Sequence, residues 1–345
     1  MKKTVFLTLV STLFLLTACG SSSTANTSNA EVNSTHAYIS DGNALKIVDI
    51  SNPSTPISQG SVTLNTPRFV SVSNDYAYVG EYATSDPYIN IIDISNKTTP
   101  TLLTSISKTS TFQLISDMFI KDNIAYASDE YKGLHVLDIT NGTFQAQALA
   151  GSDAMSVTLL NSDLFVIHQG VTAGLKKYDV STATAPSFLL QIANPNSVDS
   201  NSYGNGVNTN SHHSWIENDG THLYLANVKF KNFIKFDSSL TQVASVNTGG
   251  FVTALAIEGN YAYLTLSNTV IPLTGGFDGI KMINLSTMSV VDSKVLSKAS
   301  GVTVQDNTLF VTDSTGLHIY DVSSGVLTPI TTLAAGNGNF ISLGK

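Results

Sequence analysis

The chain has 345 residues, 17 Lys and Arg against 25 Asp and Glu, one cysteine and, at Arg68, one arginine. A net charge of −8 carried with so little arginine argues against nucleic acid, polyanions and phosphate clamps as partners. A lone cysteine excludes an intramolecular disulfide and a cysteine-based zinc site, so the fold must hold by packing.

Residues 1–18 read as an export signal. Lys2 and Lys3 precede Val5 to Leu16, an apolar stretch of 12 residues that suits a signal and is too short to span a bilayer. The segment ends Leu16-Thr17-Ala18-Cys19-Gly20, which resembles the lipobox of bacterial lipoproteins. That resemblance implies cleavage before Cys19 and lipidation of its thiol, leaving a membrane-anchored protein. Gly20, where Asp would resemble an inner-membrane retention signal, points to the outer membrane. Of the 17 basic residues the signal takes two lysines and no acid, so 15 face 25 and the mature charge is −10. Residues 19–35 are Ser-, Thr- and Asn-rich without periodicity and read as a flexible tether.

The body, residues 36–345, is a repeat. Leu45-Lys46-Ile47-Val48-Asp49-Ile50-Ser51 returns around Asp93, Asp138, Asp179, Asp237, Asn284 and Asp321. The intervals are 44, 45, 41, 58, 47 and 37 residues. Before each copy lies a short β-rich run, such as Ala37-Tyr38-Ile39, Ala77-Tyr78-Val79 or Ala262-Tyr263-Leu264, and before that a further alternating segment. Turn dipeptides join the two: Asn74-Asp75, Asp122-Asn123, Ser162-Asp163, Asp219-Gly220, Gly259-Asn260 and Asp306-Asn307. A Ser/Asn/Pro loop and one more apolar run follow each copy.

Four short strands at this period predict an all-β fold, a seven-bladed β-propeller of four-stranded antiparallel blades. Asn339 to Leu343 matches a first strand, so the C-terminal strand is expected to complete the blade begun at the N-terminus. The repeat Asp is expected to end its strand and cap the following turn with its carboxylate. The string Leu45 to Pro53 resembles the LVIVD repeat of exported bacterial and archaeal proteins. The resemblance implies a propeller-like fold and an envelope location, and it brings no catalytic residue with it.

Loops joining second to third strands, and fourth strands to the next blade, share one face with the axial mouth. They place Asp41, Glu81, Asp129, Glu130, His168, Asn227 and Asp313, with Arg68, Asp153, His212 and His213, around that mouth. Scattered acids there read as a solvated rim. The 58-residue interval contains an Asn/Ser/Gly-rich insertion, Ala193 to Ser211, leading into His212-His213-Ser214-Trp215, the last being the only tryptophan. The chain lacks a Gly-x-Ser-x-Gly, a P-loop, a His-Glu-x-x-His and a Rossmann fingerprint. The reading is a non-catalytic scaffold, needing no cofactor, anchored in the envelope and docking a protein or glycan on a face that includes Asp41, Glu81, Asp129, Glu130, Trp215 and Asp313. The alternative is an exported metal-binding protein or metal-dependent oxidoreductase, with zinc or copper on His168, His212 and His213. His135 and His318 fall on the polar repeat position of Lys46 and read as structural.

Overall fold

A computed structural model describes residues 34–81, 88–107, 114–140, 142–148, 153–169, 174–193, 214–227, 231–267 and 276–345. All regular structure among them is β. The first blade holds β1 (His36–Asp41), β2 (Ala44–Asp49) and β3 (Ile57–Thr63). The second holds β4 (Pro67–Ser73), β5 (Tyr76–Glu81), β6 (Tyr88–Asp93) and β7 (Thr101–Ser107). The third holds β8 (Ile115–Lys121), β9 (Ile124–Asp129), β10 (Gly133–Asp138) and β11 (Thr143–Ala148). The fourth holds β12 (Asp153–Leu160), β13 (Asp163–Gln169), β14 (Gly174–Asp179) and β15 (Ser187–Ala193). The fifth holds β16 (Trp215–Asn218), β17 (Leu223–Asn227), β18 (Asn232–Phe236) and β19 (Gln242–Asn247). The sixth holds β20 (Phe251–Glu258), β21 (Tyr261–Ser267), β22 (Gly279–Asn284) and β23 (Ser289–Val295). The seventh holds β24 (Gly301–Gln305), β25 (Thr308–Thr312), β26 (Leu317–Asp321) and β27 (Thr328–Leu333), and β28 (Gly338–Gly344) ends the chain.

Seven four-stranded antiparallel sheets result, and β28 pairs with β1 to complete the first. The chain is a seven-bladed β-propeller with the expected closure. The innermost strands β28, β4, β8, β12, β16, β20 and β24 each pack on the next, and β24 packs on β28, so the ring has no gap. The residues entering β1 reinforce the closure: Thr35 N–H donates to the Gly344 carbonyl at 3.0 Å, and Ser34 N–H to the Gln305 side chain, at Oε1, at 2.9 Å.

The period-two pattern explains why each blade needs two neighbours. On β1, Ala37 and Ile39 pack with Phe310, Leu317 and Ile319 of the seventh blade, whereas Tyr38 packs with Val70, Val72 and Val79 of the second. Each fully buried side chain of this size contributes roughly 1.5–3 kcal/mol, available only when blades stack. In all seven blades the outermost strand carries an extra residue against the third strand, as at the register shift between Ile91 and Ile92. Such bulges kink an outer edge that would otherwise template pairing with another chain.

The repeat acid behaves as expected. The N–H two residues on donates to Asp49 at 2.9 Å, Asp93 at 2.8 Å, Asp138 at 2.9 Å, Asp179 at 2.7 Å, Asp237 at 3.0 Å, Asn284 at 3.0 Å and Asp321 at 2.8 Å. The Ser51 and Ser95 hydroxyls add a bond each, which holds the Asp49 and Asp93 carboxyls below their ordinary range. Most first-to-second strand turns also fall where the dipeptides put them, with Asn74, Asp122, Asn123, Asp306 and Asn307 at positive φ. In the fourth blade the turn is Asn161–Ser162, one residue early, and in the fifth it widens to residues 219–222.

Candidate functional site

Two polar features lie at the end of the ring where each second strand finishes. The first is a set of clasps. Asp41, Glu81, Asp129 and Asp313 all stand at or just past the end of a second strand, and each reaches the polar position of the neighbouring third strand. Asp41 pairs with Lys46. Asn90 Nδ2 donates to Glu81 Oε1 at 2.7 Å. His135 Nε2 lies 3.2 Å from Asp129 Oδ2, and His318 Nε2 3.0 Å from Asp313 Oδ2. The same acids bind backbone. Asp129 Oδ1 accepts from the N–H groups of Leu114, Tyr131 and Lys132, and Asp313 Oδ1 from those of Thr315 and Gly316. Glu81 Oε1 also accepts from Asn65 N–H at 3.1 Å, and Lys46 Nζ donates to the Ala335 carbonyl at 2.6 Å. Each clasp thus ties a second strand to a third, and to a turn or to the connection entering the blade.

These acids are therefore not a solvated rim. Asp41, Glu81, Asp129, Glu130 and Asp313 are all buried, Asp129 completely. For Asp41, Glu81, Asp129 and Asp313 the difference has a physical reason: each carboxylate accepts from donors on an adjacent strand or turn, which offsets its loss of water. Burial alone would raise the Asp313 carboxyl, but the Thr315 hydroxyl and N–H together with His318 hold it below its ordinary value. His135 and His318, read above as structural, are the partners in two of the clasps.

Glu130, next to Asp129, is different. Burial pushes its carboxyl up to about 8; Arg68 opposes the rise, and Asp129 and Asp153 add to it. Asp153 is itself raised, by burial and by Asp129. The only arginine thus sits in the field of the acids around the mouth. It occupies a bulge in β4, between Pro67 and Phe69, and equivalent bulges recur at Ser116, Met155, Thr253 and Asn339. Bulges there turn innermost strands where they meet the mouth.

The second feature is the axis. A cavity of ≈ 40 Å³ is lined by Phe69, Asp117, Trp215, Glu217 and Phe340 together with aliphatic groups of β20 and β24. Trp215 and Phe340 rings lie 5.7 Å apart at 53°. Asp117 accepts from Ser156 Oγ at 2.7 Å, Val157 N–H at 3.0 Å and Met118 N–H at 2.8 Å, a structural acceptor binding the third blade to the fourth. Glu217 is 1% exposed. Neither acid is singled out by the sequence reading above. The available signal was a charge in an apolar strand, Ile115-Ser116-Asp117-Met118-Phe119 and Trp215-Ile216-Glu217.

Of the other expected residues, His168 is the penultimate residue of β13, fully buried, and β16, which begins at Trp215, packs on β13. His212 and His213 lie outside the described residues, as does Cys19. Among the described residues no three His, Cys, Asp or Glu side chains form a metal-holding group, and no helix is long and apolar enough to cross a membrane.

Comparison with known proteins agrees with this architecture. The LVIVD repeat family matches residues 26–64, 68–107 and 115–144. The chain carries LVIVD repeats. The matched stretches are the first three units, and the looser later copies complete the ring. Among curated proteins none matches in sequence. Among solved structures, a protein from Lactobacillus plantarum is similar at 14% identity and a TM-score of 0.69, covering 90% of this chain and 99% of its own. Two proteins provisionally assigned as 6-phosphogluconolactonases are also similar. That from Bacteroides uniformis has 12% identity and a TM-score of 0.70, with 89% of this chain and 98% of that one covered. That from Bacteroides fragilis has 11% identity and a TM-score of 0.67, with 91% and 99% covered. At these identities the likeness is one of fold.

Proposed function

We propose that the protein is a lipid-anchored, non-catalytic binding scaffold of the bacterial envelope, which presents the clasp-bearing face to a protein or glycan. One observation carries the reading: the two faces of the ring differ in length variation, and the chain enters on the uniform one. First-to-second strand turns span two residues in five of six cases. Connections between blades on the other face range from three residues, 64–66 and 248–250, to 21, residues 194–214. Variable loops on a rigid scaffold are where binding residues concentrate. β1 starts at His36 beside Gly344, on the uniform face, so a tether running back to Cys19 leaves from the side opposite the variable loops. An anchored ring would then turn its variable face away from the membrane.

The test has two arms. Cys19→Ser should move the protein from the membrane fraction to the soluble one and abolish metabolic labelling with palmitate. Accessibility of single cysteines to a membrane-impermeant thiol reagent, placed at Lys298 and at Ser181 in the Cys19-lipidated chain, should favour Lys298. Membrane retention of Cys19→Ser would sink the anchor, and faster labelling at Ser181 would sink the orientation.

A second reading, metal binding by His168, His212 and His213, is favoured by the packing on β13, which carries His168 as its penultimate residue, of β16, which starts the fifth blade two residues after His213. Elemental analysis of the purified protein tests it: stoichiometric zinc or copper, lost in His212→Ala and His213→Ala, supports it, and metal-free protein overturns it.

A further inference from the structure

We infer that the axial cavity is a binding site for the head group of a primary ammonium ligand. Its walls have the chemistry such a group needs. Phe69, Trp215 and Phe340 come from three blades that are distant in sequence and meet at the axis. Phe340 packs against three separate core clusters, those around Tyr263, Met118 and Tyr38, which places it where blades converge. A cation within about 6 Å of an aromatic face is attracted by the ring quadrupole, most strongly where water is excluded.

The charge is placed to match. Trp215 and Glu217 are two apart on β16 and share one strand face, with Glu217 lying about 6–7 Å farther from the start of the strand. A cation held at the indole can therefore point its N–H donors at a carboxylate deeper in the ring. Among the described residues lining the cavity none is basic, and two, Asp117 and Glu217, are acidic. Glu217 lines the cavity on the same strand face as Trp215 and is the group that orients the ligand.

Size sets the class. Space of ≈ 40 Å³ holds about three waters, which admits an ammonium with one or two carbons and excludes a sugar ring or a nucleobase. A larger ligand would insert only its amine. The inference is independent of the anchor and of the outward orientation, because its readout needs no membrane.

Trp215 is the only tryptophan and lines the site, so its fluorescence reports occupancy directly. The purified protein is titrated with ethylammonium chloride, with ethanol as the neutral counterpart of the same size and sodium chloride as the ionic-strength control. The expected result is a saturable change with ethylammonium alone, weakened about tenfold or more in Glu217→Gln and severalfold in Phe340→Leu. A response shared with ethanol or sodium chloride overturns the proposal, as does the absence of any saturable change. Undiminished affinity in a folded Glu217→Gln overturns it too. Should Glu217→Gln not fold, the contrast between ethylammonium and ethanol on the parent protein decides.

Discussion

On one face of the ring the chain turns by two residues wherever the first and second strands meet, save in the fifth blade, and an Asp or Asn side chain caps every third-to-fourth strand loop. Those side chains are partly exposed and bond close to their own turns; the Asp237 and Asp321 carboxyls accept from residues within four positions, and Asp49 reaches as far as Gln59 Nε2 at 3.1 Å. On the other face the acids are buried, reach across strands and hold connections of unequal length. Carboxylates recur on both faces at the repeat period. What separates them is burial: the caps stay partly exposed at their turns, whereas the clasps are enclosed and reach the polar position of the next strand. A local cap needs only its own turn, whereas a clasp needs the register of two strands and the arrival of a third segment. The local caps set where strands end. The clasps carry the cost of irregular loops without loosening the ring.

The largest effect should come from removing what both faces depend on. Truncation from Gly338 deletes β28, leaves β1 without its inner partner and opens the ring. Cooperative thermal unfolding followed by circular dichroism should be lost or shifted down by tens of degrees, and an unchanged Tm would refute the closure. Next comes Asp129→Ala, which strands His135 and three backbone N–H groups. A loss of about 3–5 kcal/mol in denaturant unfolding is expected. Asp49→Ala, on the opposite face, should cost about 1 kcal/mol or less, because water replaces the carboxylate. Equal costs at the two sites would erase the distinction between clasp and cap.

A subtler effect lies in pH. Glu130 has an ordinary value of 4.5 and is pushed up to about 8 in the fold, so between these values the folded state holds the extra proton. Its contribution is fully present below about 4.5 and is lost as pH rises through about 8. Glu130→Gln should therefore flatten the decline of Tm across that window and leave the variant at least as stable as the parent above pH 8. A steeper decline in the variant would show that the carboxylate is stabilising there. Smallest of all should be the consequence of shortening residues 196–211 to a brief Gly/Ser linker. Loop length enters stability only logarithmically, so Tm should move by no more than a few degrees. A large loss would mean that this segment belongs to the ring rather than to the variable face.

Much of the architecture is written in the chain locally. Leu45, Ile47 and Asp49 mark a strand, its core face and its end within five residues. Asn74-Asp75 and Asp306-Asn307 mark turns by their tolerance of positive φ. The candidate site is legible only by position. Asp41, Glu81, Asp129 and Asp313 can be mapped to the correct face from the loop order, but not to a buried state. Burial there depends on a partner on the next strand, at Lys46, Asn90, His135 or His318, and on register that no local pattern encodes. The bulge at Arg68 is equally silent, since one extra residue in an alternating run resembles noise. Asp117 and Glu217 meet on the axis only because the third and fifth blades are two places apart in a closed ring.

The seam between β28 and β1 bears on how the protein is made. Ser40 accepts from Phe340 N–H across 300 positions of chain and donates to the Arg68 carbonyl. Nearly the whole polypeptide must therefore emerge before its earliest strand, already paired with β2, finds its inner partner. Contacts of such long range slow folding, and during translation the first blade waits with an unsatisfied edge. On the proposed export route this delay would be useful: the barrier to premature folding is the geometry of the product itself, and the last strand to arrive locks the first.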